Sequence, residues 1–401
     1  MKQNHKNIRF LLILSLVFLL FSLTGCWSSH EIEELGFEVG LAFDKGKESA
    51  TEKGLEEEGG GYAKKNLITS TYQFVKPQAS GGGGKGGASQ GKAYTNVSET
   101  GDSLHQMIRE VSLRRDRPVI FHHTKVIVIS ANLARTYSLK KIMDIYLRDN
   151  EIRPSCLMLI SKGRASKTLE MKEAGEIPAL RLYGIADNQY RTSRILPPVP
   201  LAKLPGKMQS ESSFLLQNVI SSKGEVKFSG AAIIKGKTKK LHGFLSEKEL
   251  EGLTWITGKG KGGLVKGIDK ETGQPIMYEV VSMKSTITPH VKGNKISFDV
   301  KIESEGRISE NWVTSGNPFN NKFLRRAEKA AIQEVNRLVD HTLKKIQKEY
   351  EVDVAGFGNR LRIKNPKVWE KVKKDWDKTF SKVPIKYSVK INIKDYGAKG
   401  S

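Results

Sequence analysis

Residues 10–23 form an uncharged, almost wholly apolar run, preceded by a short leader carrying Lys2, Lys6 and Arg9. A helix needs about 20 apolar residues to cross the hydrocarbon core of a bilayer, so these fourteen residues do not span one. Their length and basic flank suit the apolar region of a secretory signal. The small residues Thr24 and Gly25 close the run, directly before Cys26. The fold is therefore expected to be built from Cys26 onward, with residues 1–25 excluded from it.

Leu23-Thr24-Gly25-Cys26 resembles the bacterial lipobox, Leu-x-Gly-Cys. That resemblance implies a thioether from the Cys26 sulfur to a diacylglycerol, cleavage between Gly25 and Cys26, and acylation of the freed amine. A buried hydrophobic cysteine beside a failed membrane helix is the alternative. Basic leader, apolar run, small residues and cysteine occur in order, which favours the lipoprotein reading. Residues 1–25 are then a signal peptide and Cys26 is the lipidation site. The mature chain is secreted and held on the outer face of a membrane.

Cleavage leaves 376 of 401 residues, enough for two or three domains of about 100–200 residues each. Hydrophobic residues make up 38% and charged residues 27%, which fits a globular chain rather than a disordered one. No later stretch approaches 18 consecutive apolar residues, so no second span is expected. The net charge is +24, or +21 once Lys2, Lys6 and Arg9 are removed. Such a charge suggests nucleic acid or an anionic surface. Export argues against nucleic acid and for an anionic membrane surface, because a single lipid chain holds a protein only marginally and a basic patch adds to it. Solvated lysine-rich loops are the competing explanation. With Cys26 modified, Cys156 has no disulfide partner. It lies in Ser155-Cys156-Leu157-Met158-Leu159-Ile160, which reads as a buried strand, so an inert core thiol is expected.

Along the chain, residues 27–35 read as a short helix, with Ser28 and Glu31 at capping-box spacing. Residues 37–43 and 67–75 read as strands, and 46–65 as a charged, glycine-rich loop. Seven glycines in residues 80–91 mark a flexible insertion. Apolar spacing predicts helices over 103–113 and 139–147, a strand over 125–130, and a helix over about 165–172. Four prolines, at 197, 198, 200 and 205, make 196–210 the expected linker between an N-terminal domain (26–195) and a C-terminal region (211–396) that can divide into two subdomains.

Beyond the prolines, residues 225–234 and 239–245 read as a hairpin. Ser246 and Glu249 form a capping box that starts a helix. Residues 258–267 read as a Lys/Gly loop, and 277–287 and 295–303 as strands. Residues 323–350 form the longest helix, with Leu324, Ala327, Ala331, Val335, Leu338, Thr342 and Ile346 as its buried stripe. A short helix around 368–376 and a closing strand over 383–393 follow. Strands interrupted by helices, without regular βαβ repetition, indicate an α+β fold with mixed or antiparallel sheets.

Catalytic signals are weak. Residues 231–238 read Ala-x-x-x-x-Gly-Lys-Thr, one residue short of a phosphate loop. Such a loop must open a helix, and a returning strand follows here. His122-His123 read as adjacent strand positions pointing to opposite faces, so they do not chelate one ion. His30-Glu31 lacks the second histidine of a zincin helix, and no Gly-x-Ser-x-Gly elbow occurs. Glu31, Glu33, Glu34 and Asp44 read as solvated helix-face carboxylates. No catalytic, metal or cofactor site is expected.

Four segments carry a family resemblance. They are Gly25-Cys26-Trp27 with Glu31-Ile32-Glu33-Glu34-Leu35-Gly36 and the strand to Phe43, and Arg117-Pro118-Val119-Ile120-Phe121-His122-His123. The third runs from Ala231-Ala232-Ile233-Ile234-Lys235 through residues 241–249 to Gly252-Leu253-Thr254-Trp255. The fourth is Gly356-Phe357-Gly358, Pro366, Trp369, Trp376 and Phe380, then a strand ending near Gly397. In this order behind a lipobox, the chain resembles the germinant receptor C-subunit family, Ger(x)C, of spore-forming bacteria. The resemblance implies an α+β lipoprotein of three domains. It implies a role beside integral-membrane A and B subunits, in a nutrient receptor of the spore's inner membrane, and the absence of a catalytic constellation makes that role a non-enzymatic one. A solute-binding lipoprotein of a transporter and a secreted cell-wall hydrolase are the alternatives.

Overall fold

The computed structural model describes Ser15 and residues 36–60, 64–76, 91–149, 151–173, 175–314 and 320–395. Cys26, the carboxylates Glu31, Glu33 and Glu34, the helix expected over 27–35 and residues 80–90 of the glycine-rich insertion lie outside the described residues. The described part is an α+β structure with two sheets.

The first sheet contains β1 (Gly36–Lys45), β2 (Ile68–Val75), β3 (Tyr94–Gly101), β4 (Val119–Ile120), β5 (Val126–Ser130), β6 (Leu157–Ser161), β7 (Phe214–Ser222), β8 (Glu225–Ile234) and β9 (Leu241–Leu245). Their order is β3-β2-β1-β5-β6-β7-β8-β9, with β4 beside β1. β1, β5, β6 and β7 run parallel in the middle, and the flanking strands pair antiparallel. β5 and β6 are buried on both faces, so they read as continuous apolar runs rather than alternations. Ile127, Ile129, Met158 and Ile160 enter one core, and Val126, Val128, Leu157 and Leu159 the opposite one.

Among the described residues, seven short α-helices lie in the part of the chain that builds this sheet. They are α1 (Ala50–Gly59), α2 (Leu104–Ser112), α3 (Ala131–Thr136), α4 (Leu139–Ile142), α5 (Asp144–Arg148), α6 (Pro178–Ala186) and α7 (Leu204–Gln209). α2 to α5 and α7 cover one face through Val111, Leu133, Ile142, Tyr146 and Leu204. α6 covers the other through Ala179 and Leu182.

The second sheet has the order β10 (Gly263–Ile268), β11 (Pro275–Lys292), β12 (Lys295–Asn311) and β13 (Ile385–Asp395). β10, β11 and β12 pair antiparallel, and β13 lies parallel to β12. On β12, Ile296, Phe298, Val300 and Ile302 are buried on one face, as the alternation predicts. That face is covered by α8 (Glu247–Thr257) and α9 (Asn321–Lys344), which continues as a π-helical turn over Lys345–Glu349. α10 (Phe357–Lys364), α11 (Pro366–Val372) and α12 (Trp376–Phe380) complete the layer. Ala327, Ala331, Val335, Leu338, Thr342 and Ile346 are all buried, and Leu324 is half-buried, so the expected stripe of α9 faces the core.

The two sheets share one core. Leu215, Ala231, Ile233 and Leu245 of the first sheet enter the cluster formed by α8, α9 and the second sheet. α8 opens with the expected Ser246/Glu249 capping box. It crosses α9 closely at Gly252, where a Cβ would overlap the Thr342 hydroxyl and the Leu338 carbonyl.

Several elements differ from the sequence expectations. Residues 46–65 contain α1, started by a Ser49/Glu52 capping box. Residues 263–267, expected in a loop, belong to β10, where Gly263, Val265 and Gly267 are buried and Gly267 fits against Ala330 of α9. The helix expected over about 165–172 shrinks to a 3₁₀ turn, Ser166–Leu169. Asp44 of β1 accepts from Ala165 N (2.8 Å) and Ser166 N (3.0 Å), and Met171 N donates to the Tyr94 hydroxyl, so tertiary bonds hold this segment. The helix over 139–147 breaks at Met143 into α4 and α5.

The proline-rich stretch 196–210 does not end the first sheet, since β7, β8 and β9 extend it. Met158 N donates to Val199 O (3.0 Å), and Leu201 N to Cys156 O (2.9 Å). Pro197 and Pro198 lie outside helix and strand, Pro205 sits in the first turn of α7, where its missing N–H costs nothing, and the stretch packs along β6.

Candidate functional site

The strongest concentration of perturbed groups lies inside the first sheet. Glu38 of β1 is fully buried. Thr124 Oγ1 lies 2.5 Å from Glu38 Oε2 and 2.9 Å from the Phe121 carbonyl oxygen. A single hydroxyl proton serves only one of these acceptors. Protonated Glu38 resolves the geometry, because it donates to Thr124 while Thr124 donates to Phe121. Burial pushes the Glu38 carboxyl up to about 8, against smaller opposing effects of Thr124 and the Gly40 amide. Its second oxygen, Oε1, has no hydrogen-bond partner among the described residues.

Two phenols share this interior. Tyr72 and Tyr146 are buried, and burial, followed by lesser effects that include the neighbouring Glu38 charge, raises both hydroxyls above their ordinary range. The Tyr146 ring packs against Phe43 (5.5 Å) and edge-on to Phe121 (5.7 Å). Cys156 is buried in the same core, and burial pushes its thiol up to about 12. Thiolate is the nucleophilic form, so this cysteine is chemically quiet. The cluster is a set of neutral, protonated groups closed off from solvent. Sequence reasoning passed over Glu38. The available signal was a carboxylate inside an apolar strand, Phe37-Glu38-Val39.

The other sequence candidates are scattered. His122 and His123 sit in a turn after β4 rather than on a strand. The His123 ring packs edge-on to Phe37 at 5.1 Å, and burial lowers its pKa. Asp44 is buried and caps the 165–166 turn, so it is not a solvated helix-face carboxylate. The near-phosphate loop is the turn between β8 and β9, and Gly236 N donates to Ser213 Oγ (3.0 Å) rather than opening a helix. Among the described residues no group of three or more His, Cys, Asp or Glu side chains has metal-holding geometry. Among them, too, no helix is long and apolar enough to cross a membrane.

The structure concentrates specific contacts at the joint between the sheets. Tyr350, just after the π-helical turn, reaches β9 and packs its ring against Gly243. His242 Nε2 lies 3.0 Å from the Tyr350 carbonyl oxygen. Lys235 and Lys237 of the β8–β9 turn reach Asp377 and Asp375 at 3.9 and 3.4 Å. Asp353 holds α10 in place. Its carboxylate accepts from the backbone N–H groups of Ala355, Gly356, Phe357 and Gly358 and, at 2.8 Å, from Trp376 Nε1. Gly356-Phe357-Gly358 and Trp376 are thus one structural unit.

Comparison with known proteins agrees with this picture. Residues 28–220 match the family model "Spore germination protein N-terminal domain", and 229–397 match "Spore germination B3/ GerAC like, C-terminal". The chain is 53% identical to spore germination protein YndF of Bacillus subtilis, over 94% of this chain and 95% of that protein. It is 29% identical to spore germination protein B3 of the same organism, over 96% and 97%. The crystal structure of the GerBC protein superposes with a TM-score of 0.60 and 27% identity, over 90% of this chain and 99% of that one.

Proposed function

This chain belongs to the Ger(x)C family of spore germination proteins, and we propose that it is the lipid-anchored, non-enzymatic C subunit of a nutrient germinant receptor. Its role in spore germination follows from the family. In the finer reading, Cys26 carries the lipid, and the domains from residue 36 onward stand on the outer face of the spore's inner membrane. They act there beside integral-membrane A and B subunits and the anionic surface of the bilayer. The observation that carries this reading is the near full-length likeness to spore germination proteins, across both halves of the fold.

The physical chemistry supports it. Glu38 is buried with its carboxyl pushed up, and the one described cysteine is buried with a raised thiol pKa. The parallel strands are confined to the middle of one sheet plus a single pair in the other, which does not support two doubly wound lobes. A receptor subunit that works by assembly needs rigid joints, and the Tyr350 and Asp353 contacts supply them.

The experiment has two parts. Cys26→Ala is expected to abolish incorporation of labelled fatty acid, because the thioether needs that sulfur; undiminished labelling refutes the anchor. Affinity purification of the full chain from spore membranes is expected to recover the A and B subunits. Recovery of the chain without either refutes the assembly.

A further inference from the structure

A basic cleft lies at the end of the second sheet, between the β11–β12 turn and the segment around α11 and α12. It has a volume of about 720 Å³. Ile296, Val372, Val383 and Pro384 give it an apolar floor, and Lys292, Lys295, Lys378 and Lys382 stand around it. All four lysines are exposed, and none makes an ion pair among the described residues. The acidic groups nearby are already engaged. Asp375 pairs with Lys237, Asp377 with Lys235, Glu370 with Lys373, and Asp299 with His290. Residues 357–382 carry nine Lys or Arg against three Asp or Glu, so the positive field extends beyond the cleft. Ile363, in the same segment, is 58% exposed.

We propose that this cleft and its lysine rim are the surface through which the chain docks onto an anionic phospholipid bilayer. The inference rests on the membrane-anchored reading above and adds the contact surface. Unneutralised lysines complement phosphate headgroups, and the apolar floor accepts the glycerol and upper acyl region. Each lysine near an anionic leaflet adds to the attraction. A lipid-modified protein gains stable attachment from such a patch, since one chain alone binds marginally. The same +24 chain has many other lysines. These four are set apart by their concentration around one apolar cleft with no acidic partner left over.

The test uses the chain from Cys26 to Ser401 with Cys26→Ser, so that binding reports the protein surface and not the lipid. Co-sedimentation is measured with vesicles of phosphatidylcholine and with vesicles of equimolar phosphatidylcholine and phosphatidylglycerol. Binding is expected on the phosphatidylglycerol vesicles and to fall with added salt. Lys292→Glu, Lys295→Glu, Lys378→Glu and Lys382→Glu together are expected to weaken it by about 100-fold or more. Reversal of four exposed lysines elsewhere, Lys140, Lys203, Lys223 and Lys240, is expected to weaken it by less than about tenfold. Unchanged thermal melting of both variants excludes misfolding.

Equal losses in the two variants, or equal binding to both vesicle types, overturn the proposal. So does a rim variant that still binds vesicles like the parent but no longer recovers the A and B subunits, because the cleft is then a protein-docking site. Each of these outcomes leaves the germination role and the Cys26 anchor standing, since neither is measured with this lipid-free chain.

Discussion

The Tyr350 hydroxyl donates to the Phe244 carbonyl oxygen at 2.9 Å and accepts from the Phe244 N–H at 3.3 Å. One phenol therefore closes the end of α9 against the edge of the first sheet, bonding both backbone groups of a single β9 residue. Removing the hydroxyl leaves a part-buried N–H and C=O without it. Tyr350→Phe is expected to lower unfolding stability by about 1–3 kcal/mol. Urea unfolding measures this, and an unchanged midpoint would show that the joint does not depend on the phenol.

Leu338 of α9 is 3% exposed and shares a core with Ile391 and Val389 of β13. Truncating such a residue leaves a cavity, so Leu338→Ala is expected to cost roughly 2–5 kcal/mol. Lys344, on the exposed side of the same helix, is expected to tolerate alanine within about 0.5 kcal/mol. Equal small effects at both positions would mean that the two faces of α9 are not distinguished by burial.

Glu38 makes stability depend on pH in a stated direction. Its carboxyl is pushed from 4.5 up to about 8 by burial. Between these values the folded chain holds a proton that the unfolded chain has released. Stability therefore falls as pH rises through that window and levels off above it. Glu38→Gln keeps a neutral donor for Thr124 and is expected to flatten the decline in melting temperature between about pH 5 and pH 8. A variant whose melting temperature declines as steeply as the parent's would refute protonated Glu38.

Periodicity made much of this fold legible. Clean alternation on β12, the apolar stripe of α9 and the Ser246/Glu249 box each appear where the pattern predicts. The missed elements had weak or contrary local signals. α1 buries only Glu52, so it carries no apolar stripe, and its Ser49/Glu52 box was the one readable mark. β10 holds two glycines that look like a loop until Gly267 is seen against α9. The 165–172 segment has helical spacing, yet Asp44 and Tyr94, remote in sequence, hold it otherwise. Prolines at 196–210 signalled a break in local structure, but strand pairing decides where a sheet ends, and β7 pairs with β6 across that break. Glu38 was hidden for a related reason. Its importance comes from what surrounds it, and Thr124, Tyr72 and Tyr146 are far away in the chain.

The most direct measurement of the central claim is germination of spores lacking this protein, scored nutrient by nutrient, with the intact chain restored as control. The account predicts that response through one receptor is lost, that other receptors still work, and that restoring the chain recovers the response. Spores that lack the protein yet respond normally to every nutrient would contradict it.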